Sequence, residues 1–328
     1  MDKNLELKLK TIKNKVDILV KNYIKKNNPI LLYEPAKYSL KSEGKRIRGL
    51  LCVLGYEAVR KGSFSNNIFY AASSLEILHL FTLIHDDIMD NADSRRGRET
   101  IHKKWDTNTA ILTGDLLVGV AYNSLLKAKF KNLVYAINEF NDALITVCEG
   151  QGYDKLFETY ENIKIKEYYL MIEKKTGKLI ESSVIIGAIL GEANKSQINS
   201  LSNYGKYIGR AFQIKDDLLD IIADEKKLGK SKYGDIKESK KTYFYAKALS
   251  CFNSKDLHTL KFIFQKKSKS DSDIKKVVEL FEKYNLIIIA ENEINRLITL
   301  AKKSINNIDK SKREPLEFLA DKLAVRTY

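Results

Sequence analysis

Helix-breaking residues are scarce in this chain of 328 residues, which has only 3 prolines and 16 glycines. Because both residue types interrupt helices, their scarcity favours an all-helical protein. Hydrophobic residues make up 44% of the chain, which is enough for a substantial core and excludes a disordered protein. No shift in composition marks a boundary, so we predict one helical domain over residues 1–328.

Cysteines are also few, and no long apolar run is present. The three cysteines, Cys52, Cys148 and Cys251, are far apart and form no Cys-x-x-Cys pair. We therefore predict reduced thiols in a cytoplasmic protein. The first residues are charged throughout and lack the apolar core of a secretion signal. Apolar runs such as Val184–Leu190 are too short to span a bilayer, so we expect no transmembrane segment.

Acidic residues are outnumbered, with 42 Asp+Glu against 57 Lys+Arg and a formal net charge of +15. Such an excess fits a partner rich in phosphate, such as nucleic acid, an anionic membrane surface or a diphosphate substrate. The lysines, however, are dispersed, and no block of them has the form of a nucleic-acid-binding arm. We interpret most of the excess as a solvated surface and expect no nucleic-acid partner.

Apolar residues recur at three- and four-residue steps along most of the chain, which predicts amphipathic helices. The first is predicted between Leu5 and Ile24. The segment 66–89 is apolar nearly all round, which is typical of a helix at the centre of a bundle. Polar loops are predicted over residues 91–104 and 223–241. Further helices are predicted over residues 46–60, 107–150, 164–192 and 197–222, and shorter ones from there to about residue 326.

Two helical segments share the acidic pattern D-D-x-x-D. The acids are Asp86, Asp87 and Asp90 in the first segment and Asp216, Asp217 and Asp220 in the second. Helix positions i and i+4 share a face, so the first and last acids of each pattern point the same way and repel each other. A hard divalent cation such as Mg²⁺ removes this repulsion. One copy would be an ordinary solvated helix end, but two copies in apolar surroundings favour metal sites.

Basic residues follow each acidic pattern. Arg95 and Arg96 come after the first, and Lys226, Lys227 and Lys230 come after the second. The alternative interpretation of these residues is a solvated loop. Arginine and lysine bind phosphate oxygens, and metal ions neutralise the charge of a departing phosphate group. Acids for Mg²⁺ with basic residues beyond them therefore predict a site for a diphosphate.

A di-iron centre is a competing interpretation, since it needs Glu-x-x-His pairs on two facing helices. That spacing occurs at Glu76/His79 and at Glu99/His102. The second pair lies in the predicted polar loop, where no inward-facing helix is expected. The scheme also leaves both aspartate clusters unexplained, so we rank it below a diphosphate site.

These motifs resemble those of the trans-isoprenyl diphosphate synthases, most closely the archaeal-type geranylgeranyl diphosphate synthases. The resemblance extends from about Leu31 to the C-terminus, and several separate motifs occur in the family's order. It implies an all-α fold: a single large helical bundle, the isoprenoid synthase fold, with a central active-site cavity. It also implies three Mg²⁺ ions per site, a homodimer, and head-to-tail condensation of isopentenyl diphosphate with dimethylallyl, geranyl or farnesyl diphosphate.

The segment "EGKRIR" (Glu43–Arg48) resembles the family's G-G-K-x-x-R-P motif, which binds the diphosphate of isopentenyl diphosphate. Glutamate replaces the first glycine and Gly49 replaces the proline, so we expect a looser loop with both basic residues in place. His79, on the predicted helix before the first acids, matches a further position of this site in the family. The alternative is that His79 is a core residue, as a lone histidine on an apolar helix often is. The resemblance implies that this diphosphate is bound by Lys45, Arg48, His79 and Arg96.

The other site residues also follow from the resemblance. Asp86, Asp90 and Asp216 would bind Mg²⁺ directly, and the remaining acids of the two patterns, Asp87, Asp217 and Asp220, would support them. In "EGQGYD", Gln151 and Asp154 match supporting positions. Arg326 is a further basic candidate in the C-terminal tail. The resemblance also implies a set of residues that bind the allylic diphosphate or lie beside the reacting carbons. These are Arg95, Lys175, Thr176, Gln213, Lys230 and Lys240.

Product length is implied by two residues ahead of the first acids. Phe81 and Thr82 precede Asp86 by five and four positions. In the family an aromatic residue at the first position stops elongation, and a second at the next position favours farnesyl. Phe81 with Thr82 therefore implies geranylgeranyl diphosphate, with farnesyl or farnesylgeranyl diphosphate as alternatives.

Two alternatives come from other classes of protein. A class I terpene cyclase needs no second diphosphate site such as Lys45 and Arg48 imply. A non-catalytic partner subunit usually loses acids from one pattern, whereas this chain keeps all six.

Overall fold

The computed structural model describes residues 2–41, 44–222 and 232–325, and these residues confirm the all-helical class. The predicted site residue Lys230 lies outside the described residues, as do Glu43, Lys226, Lys227 and Arg326. The described helices in chain order are α1 (Asp2–Tyr23), α2 (Ile30–Ser39), α3 (Ile47–Val59), α4 (Ile68–Met89), α5 (Ile101–Lys104), α6 (Thr107–Leu125), α7 (Leu133–Glu158), α8 (Ile165–Ile172), α9 (Lys178–Leu190), α10 (Lys195–Ile222), α11 (Gly234–Lys237), α12 (Tyr243–Cys251), α13 (Ser254–Gln265), α14 (Asp271–Lys283), α15 (Leu286–Ser304) and α16 (Lys310–Ala324).

Residues cluster into two compact units. The first contains residues 1–145, 179–205 and 302–319, and the second contains residues 146–178, 206–301 and 320–328. Both units draw on distant parts of the chain, and α7 and α10 contribute residues to each. The prediction of one domain stays a prediction.

Helix α4 is the centre of the first unit, as its all-round apolar sequence predicts. It packs against α1, α3 and α6. Residues such as Leu75, Ile77 and Leu78 on its different faces are fully buried. By length and composition α4 is apolar enough to cross a membrane, but 67% of its most apolar stretch is buried inside the protein, as is common for a core helix. The C-terminal end of this helix carries the first acidic pattern.

A short β-hairpin and the helix α5 occupy the segment for which a polar loop was predicted. The strands β1 (Ser94–Arg95) and β2 (Arg98–Glu99) pair antiparallel, with Arg95 opposite Arg98. The two turn residues, Arg96 and Gly97, have φ values of 53° and 72°. A two-residue hairpin loop of type I′ has positive φ at both positions, which glycine adopts at little cost. The turn therefore fixes the arginine pair in a defined conformation.

The core of the second unit is rich in aromatic residues. Helix α8 packs against α12, and α14 packs against α11 and α13. Tyr168 of α8 and Tyr243 of α12 are buried with ring centroids 5.9 Å apart, and Phe244 lies 5.4 Å from Phe281 of α14. Such pairs stabilise a core beyond the area that they bury. This core supports the part of α10 that carries the second acidic pattern.

Candidate active site

The first acidic cluster lies where α4 ends. Asp86 and Asp87 belong to its last turn, and Asp90 caps it. The hairpin folds back so that Arg95 Nε donates to Asp87 Oδ1 at 2.6 Å, while Arg95 Nη2 lies 3.3 Å from Asp86 Oδ2. One arginine thus bridges two of the three acids, a contact that the sequence did not predict.

Negative charge in this cluster exceeds what Arg95 compensates. Asp87 is only 6% exposed. Burial raises the pKa of Asp87 to about 6; Arg95 opposes the increase, and the neighbouring charges of Asp86 and Asp90 add to it. A further cation near these carboxylates would therefore be stabilised.

The donor chemistry of the cluster fits Mg²⁺. All the candidate ligands are carboxylate oxygens, which this hard cation prefers. Among residues 2–41, 44–222 and 232–325, no three His, Cys, Asp or Glu side chains converge into a ready-made metal cage. Mg²⁺ is commonly held by one or two carboxylates while water and substrate phosphates complete its shell.

Several basic residues of the first unit converge on His79. Burial lowers the pKa of His79 well below its usual range, and the positive charges of Arg48, Arg96 and Arg95 lower it further. Its imidazole is consequently neutral, and its Nδ1 lies 3.3 Å from the hydroxyl of Thr82. The structure thus brings the positive charge of Arg48 close to that of the adjacent pair Arg95 and Arg96, as a diphosphate site requires.

The loop before α3 contributes to the same region. Arg48, in the first turn of α3, is 8% exposed, whereas Lys45 is exposed. A Cβ atom on Gly44 would lie 3.5 Å from Nη1 of Arg96, so the loop approaches the hairpin. The four residues predicted to bind isopentenyl diphosphate therefore belong to neighbouring elements of one unit.

The second acidic cluster lies near the end of α10. Asp217 is buried and accepts three hydrogen bonds: from the Tyr168 hydroxyl at 2.7 Å, the Tyr243 main-chain N–H at 2.9 Å and Gln213 Nε2 at 2.9 Å. Burial raises the pKa of Asp217 in spite of these bonds. Tyr168 was missed in the sequence, where no local pattern connects it to an acid 49 residues away. Asp217 thus fixes α10 to α8 and α12.

Asp220 anchors the chain where it returns from the segment 223–231. Its side chain is buried, and its Oδ2 accepts from the main-chain N–H of Asp235 at 3.1 Å. Its main-chain oxygen accepts from the N–H of Tyr233 at 3.0 Å. The predicted site residue Lys240 follows, with Nζ 3.1 Å from Oε2 of Glu238. Within the second unit, Asp220 therefore connects the acidic helix to the segment that carries Lys240.

A π-helical turn at Glu173–Gly177 carries Lys175 and Thr176. Lys175 Nζ donates to Asp154 Oδ2 at 2.6 Å, and Thr176 Oγ1 donates to Gln213 Oε1 at 2.8 Å. A π-turn inserts an extra residue into a helix, and such turns are frequent at functional sites. The turn joins two predicted site residues to Gln213 and, through it, to the second acidic cluster.

Two glycines let neighbouring helices approach this turn. A Cβ atom at Gly150 of α7 would overlap the main-chain nitrogen of Lys175, and one at Gly209 of α10 would lie 2.7 Å from the Cα atom of Gly177. Real Cβ atoms do not come this close to main-chain atoms, so the π-turn lies where it does because both positions lack a side chain. Gly150 belongs to the segment "EGQGYD", but the sequence does not show its close approach to the π-turn, and nothing in the local sequence identifies Gly209.

We expect Gly150→Ala to displace the π-turn. The new methyl group should lower the free energy of unfolding by about 1–3 kcal/mol, the usual cost of overpacking, and raise the KM for the allylic substrate because Lys175 moves. Thermal unfolding and steady-state kinetics measure the two effects.

The matched control is Gly152→Ala on the same helix, where nothing lies within 4 Å of the added Cβ atom. It should leave kinetics unchanged and keep or slightly increase stability, because alanine is the better helix former. Equal behaviour of the two variants would contradict the packing account.

Phe81 lies on α4 below the first acids. It is buried, and its ring contacts that of His85 edge to face at a centroid distance of 4.7 Å. Thr82 is partly buried, and its hydroxyl donates to the main-chain oxygen of His79 at 2.9 Å. Phe81 is thus a large, buried ring on the helix that carries the first acids.

Residues 29–281 match the family model described as polyprenyl synthetase, a span that includes both acidic patterns. The chain belongs to this polyprenyl synthetase family. It is similar to the short chain isoprenyl diphosphate synthase of Methanocaldococcus jannaschii, with 38% identity over 320 residues, which cover 97% of this chain and 96% of that protein.

Two further comparisons agree with the family. The chain is 35% identical over 317 residues to the geranylgeranyl diphosphate synthase of Sulfolobus acidocaldarius, covering 94% of this chain and 95% of that protein. The crystal structure of geranylgeranyl pyrophosphate synthetase from Pyrococcus horikoshii superposes with a TM-score of 0.92 at 35% identity, covering 99% of each chain. This polyprenyl synthetase therefore has the isoprenoid synthase fold and is a prenyltransferase, as its motifs predict.

Proposed function

We propose that this prenyltransferase condenses isopentenyl diphosphate head to tail with allylic diphosphates and that its main product is geranylgeranyl diphosphate. The observation that carries the proposal is the duplicated acidic pattern, each copy built into a hydrogen-bonded setting with predicted diphosphate-binding residues around it. The relatives named geranylgeranyl diphosphate synthase support the product, as does the presence of Phe81 with a small residue, Thr82, after it.

Mg²⁺ is the cofactor that we propose, with three ions per site. Asp86 and Asp90 of the first cluster and Asp216 of the second would hold the ions, while Asp87 and Asp217, each bound to protein donors, orient their helices. When bound, Mg²⁺ neutralises negative charge on the diphosphate and so lowers the barrier to its departure.

Basic residues of the protein bind the two diphosphates. Arg95 and Lys175 bind the allylic diphosphate, and Lys45, Arg48 and Arg96 bind that of isopentenyl diphosphate, with neutral His79 as a hydrogen-bonding partner. The allylic C–O bond breaks with its electron pair going to the diphosphate. The double bond of isopentenyl diphosphate then attacks the allylic carbon, and a proton leaves to the departed diphosphate.

Thr176 and Gln213 have the polarity needed beside a carbocation. Because Thr176 donates its hydroxyl proton to Gln213 Oε1, the lone pairs of its oxygen remain for stabilising positive charge. The apolar side chains of α4 exclude water that would quench the cation.

Consumption of isopentenyl diphosphate separates this function from that of a terpene cyclase. We expect no release of diphosphate from an allylic primer alone and rapid release once isopentenyl diphosphate is added. Release of diphosphate together with a hydrocarbon from the primer alone would favour the cyclase instead.

We also propose that the enzyme is a homodimer that acts in the cytoplasm. Large apolar side chains are exposed on two helices of the first unit, Ile111 and Leu112 on α6 and Val134, Tyr135 and Ile145 on α7. Exposed large apolar side chains are common at the interfaces of oligomers. Sedimentation equilibrium should give the mass of two chains, and Ile111→Asp should reduce it to one, whereas Leu7→Asp, at an exposed position of α1, should not. A wild-type mass of one chain would contradict the homodimer.

A further inference from the structure

Helix α3 begins without the usual capping side chain. Its N-cap residue is Arg46, which has left-handed backbone angles (φ 54°, ψ 40°) and makes no side-chain capping hydrogen bond. The first N–H groups of a helix have no partner within the helix, so they need acceptors from elsewhere. The beginning of α3 also bears Arg48, with Lys45 just before it, so the way in which this end is held affects two residues proposed to bind isopentenyl diphosphate.

The missing acceptor comes from the neighbouring helix α4. Glu76 is 2% exposed, and its Oε1 accepts a hydrogen bond from the main-chain N–H of Gly49 at 2.8 Å. Gly49 is the third residue of α3, where a capping side chain normally acts. A carboxylate at this end of a helix is also favoured by the helix dipole. Glu76 therefore caps α3 from outside the helix.

Arg46 connects the same carboxylate to a third helix. Its buried side chain lies with Nη1 3.7 Å from Glu76 Oε2 and donates from Nε to Asp17 Oδ1 of α1 at 2.5 Å. A left-handed conformation at a residue other than glycine persists only when its surroundings hold it. Asp17 and Glu76 supply that support from α1 and α4.

The glycine at position 49 makes this arrangement possible. In the motif that "EGKRIR" resembles, the corresponding residue is proline, which has no N–H to donate. Gly49 supplies that donor, and its lack of a side chain lets it lie against Val16 and Glu76, since a Cβ atom would come within 3.2 Å of Val16 Cγ1 and 3.3 Å of Glu76 Cγ. The hydrogen bond to Glu76 offsets the loosening expected from losing the ring of proline.

We propose that Glu76, with Asp17 behind Arg46, is a positioning residue for isopentenyl diphosphate: it fixes the N-terminus of α3 and thereby Lys45 and Arg48. The inference rests on the proposed function, which assigns those two residues to that substrate. On this proposal Glu76 acts through the end of α3 and not through contact with a substrate, so it should affect the KM for isopentenyl diphosphate far more than kcat or the KM for the allylic primer.

The experiment compares both Michaelis constants in Glu76→Leu, Glu76→Gln, Asp17→Asn and Arg48→Gln. Loss of a charged hydrogen-bond partner should raise the KM for isopentenyl diphosphate about tenfold in Glu76→Leu. Glu76→Gln, which keeps an acceptor, and Asp17→Asn should give smaller increases in the same constant. Glu57→Gln at the other end of α3, where Glu57 pairs with Lys8 at 2.7 Å, should change neither constant.

A double substitution tests the connection through Arg46. Arg46 pairs with both Asp17 and Glu76, so Asp17→Asn should raise the same KM in the wild type but add little in Glu76→Leu, because both substitutions act on one network. Additive effects would contradict the link between Asp17 and Glu76.

These variants distinguish a failure of the positioning role of Glu76 from a failure of the proposed function on which it rests. If the wild type does not consume isopentenyl diphosphate, or Arg48→Gln leaves its KM unchanged, the proposed function or its assignment of Arg48 fails, and the inference fails with it. If Arg48→Gln raises that KM but the folded variants Glu76→Gln and Asp17→Asn do not, only the inference fails. An equal increase in both Michaelis constants would also overturn it.

Discussion

Asp86→Asn is expected to lower kcat/KM by on the order of 10³-fold, because it removes a carboxylate that we propose as a direct ligand of Mg²⁺. A bound metal ion stabilises developing charge by several kcal/mol, and each 1.36 kcal/mol corresponds to a tenfold change in rate. Asparagine has nearly the same size as aspartate, so the variant should fold. Activity is measured as incorporation of labelled isopentenyl diphosphate at saturating Mg²⁺.

The matched control is Asp93→Asn, a few residues further along. The side chain of Asp93 is 88% exposed and lies 3.0 Å from Lys103, outside the acidic cluster. This variant should keep wild-type activity, because an exposed ion pair contributes little. Full activity in Asp86→Asn, or an equal loss in both variants, would contradict the proposed metal site.

Phe81→Ala is expected to lengthen the product beyond twenty carbons. The substitution removes the buried ring that packs on His85 and so opens space along α4 below the acids. The opposite change, Thr82→Phe, adds an aromatic ring and should shift the product towards farnesyl diphosphate. Chromatography of the dephosphorylated products reports both shifts directly.

A loss of stability must be separated from a change in product length. Removing a buried phenylalanine costs about 3–5 kcal/mol. The control Phe281→Ala removes an even more deeply buried ring, 1% exposed against 9% for Phe81, from α14 in the second unit. It should destabilise the protein without altering product length. If Phe81→Ala yields the wild-type product at a temperature where it is folded, Phe81 does not stop elongation.

The helices follow from the sequence because their period is a local property. The apolar spacing in α1 and the all-round apolar character of α4 are each visible in a window of about twenty residues, and both helices occur as predicted. The hairpin was missed because strands of two residues are too short to show alternation, and because Arg96-Gly97 is not one of the dipeptides, such as Asn-Gly or Asp-Gly, that signal a two-residue turn.

The acids and arginines of the site were recognisable because they lie in compact motifs. The residues that hold these groups in place could not be recognised, because each acts through a tertiary contact with a residue that is distant in sequence. Tyr168 reaches Asp217 across 49 positions, and Glu76 reaches Gly49 across 27. Gly150 is defined by a main-chain approach that no local pattern encodes. Sequence motifs thus identify the groups that we propose to bind substrate, whereas the structure identifies the groups that hold them in place.

Incubation with labelled isopentenyl diphosphate, Mg²⁺ and each allylic primer in turn, followed by chain-length analysis, tests the central claim most directly. The account predicts incorporation with dimethylallyl, geranyl and farnesyl diphosphate and a product of twenty carbons from all three. Absence of incorporation with every primer would contradict it.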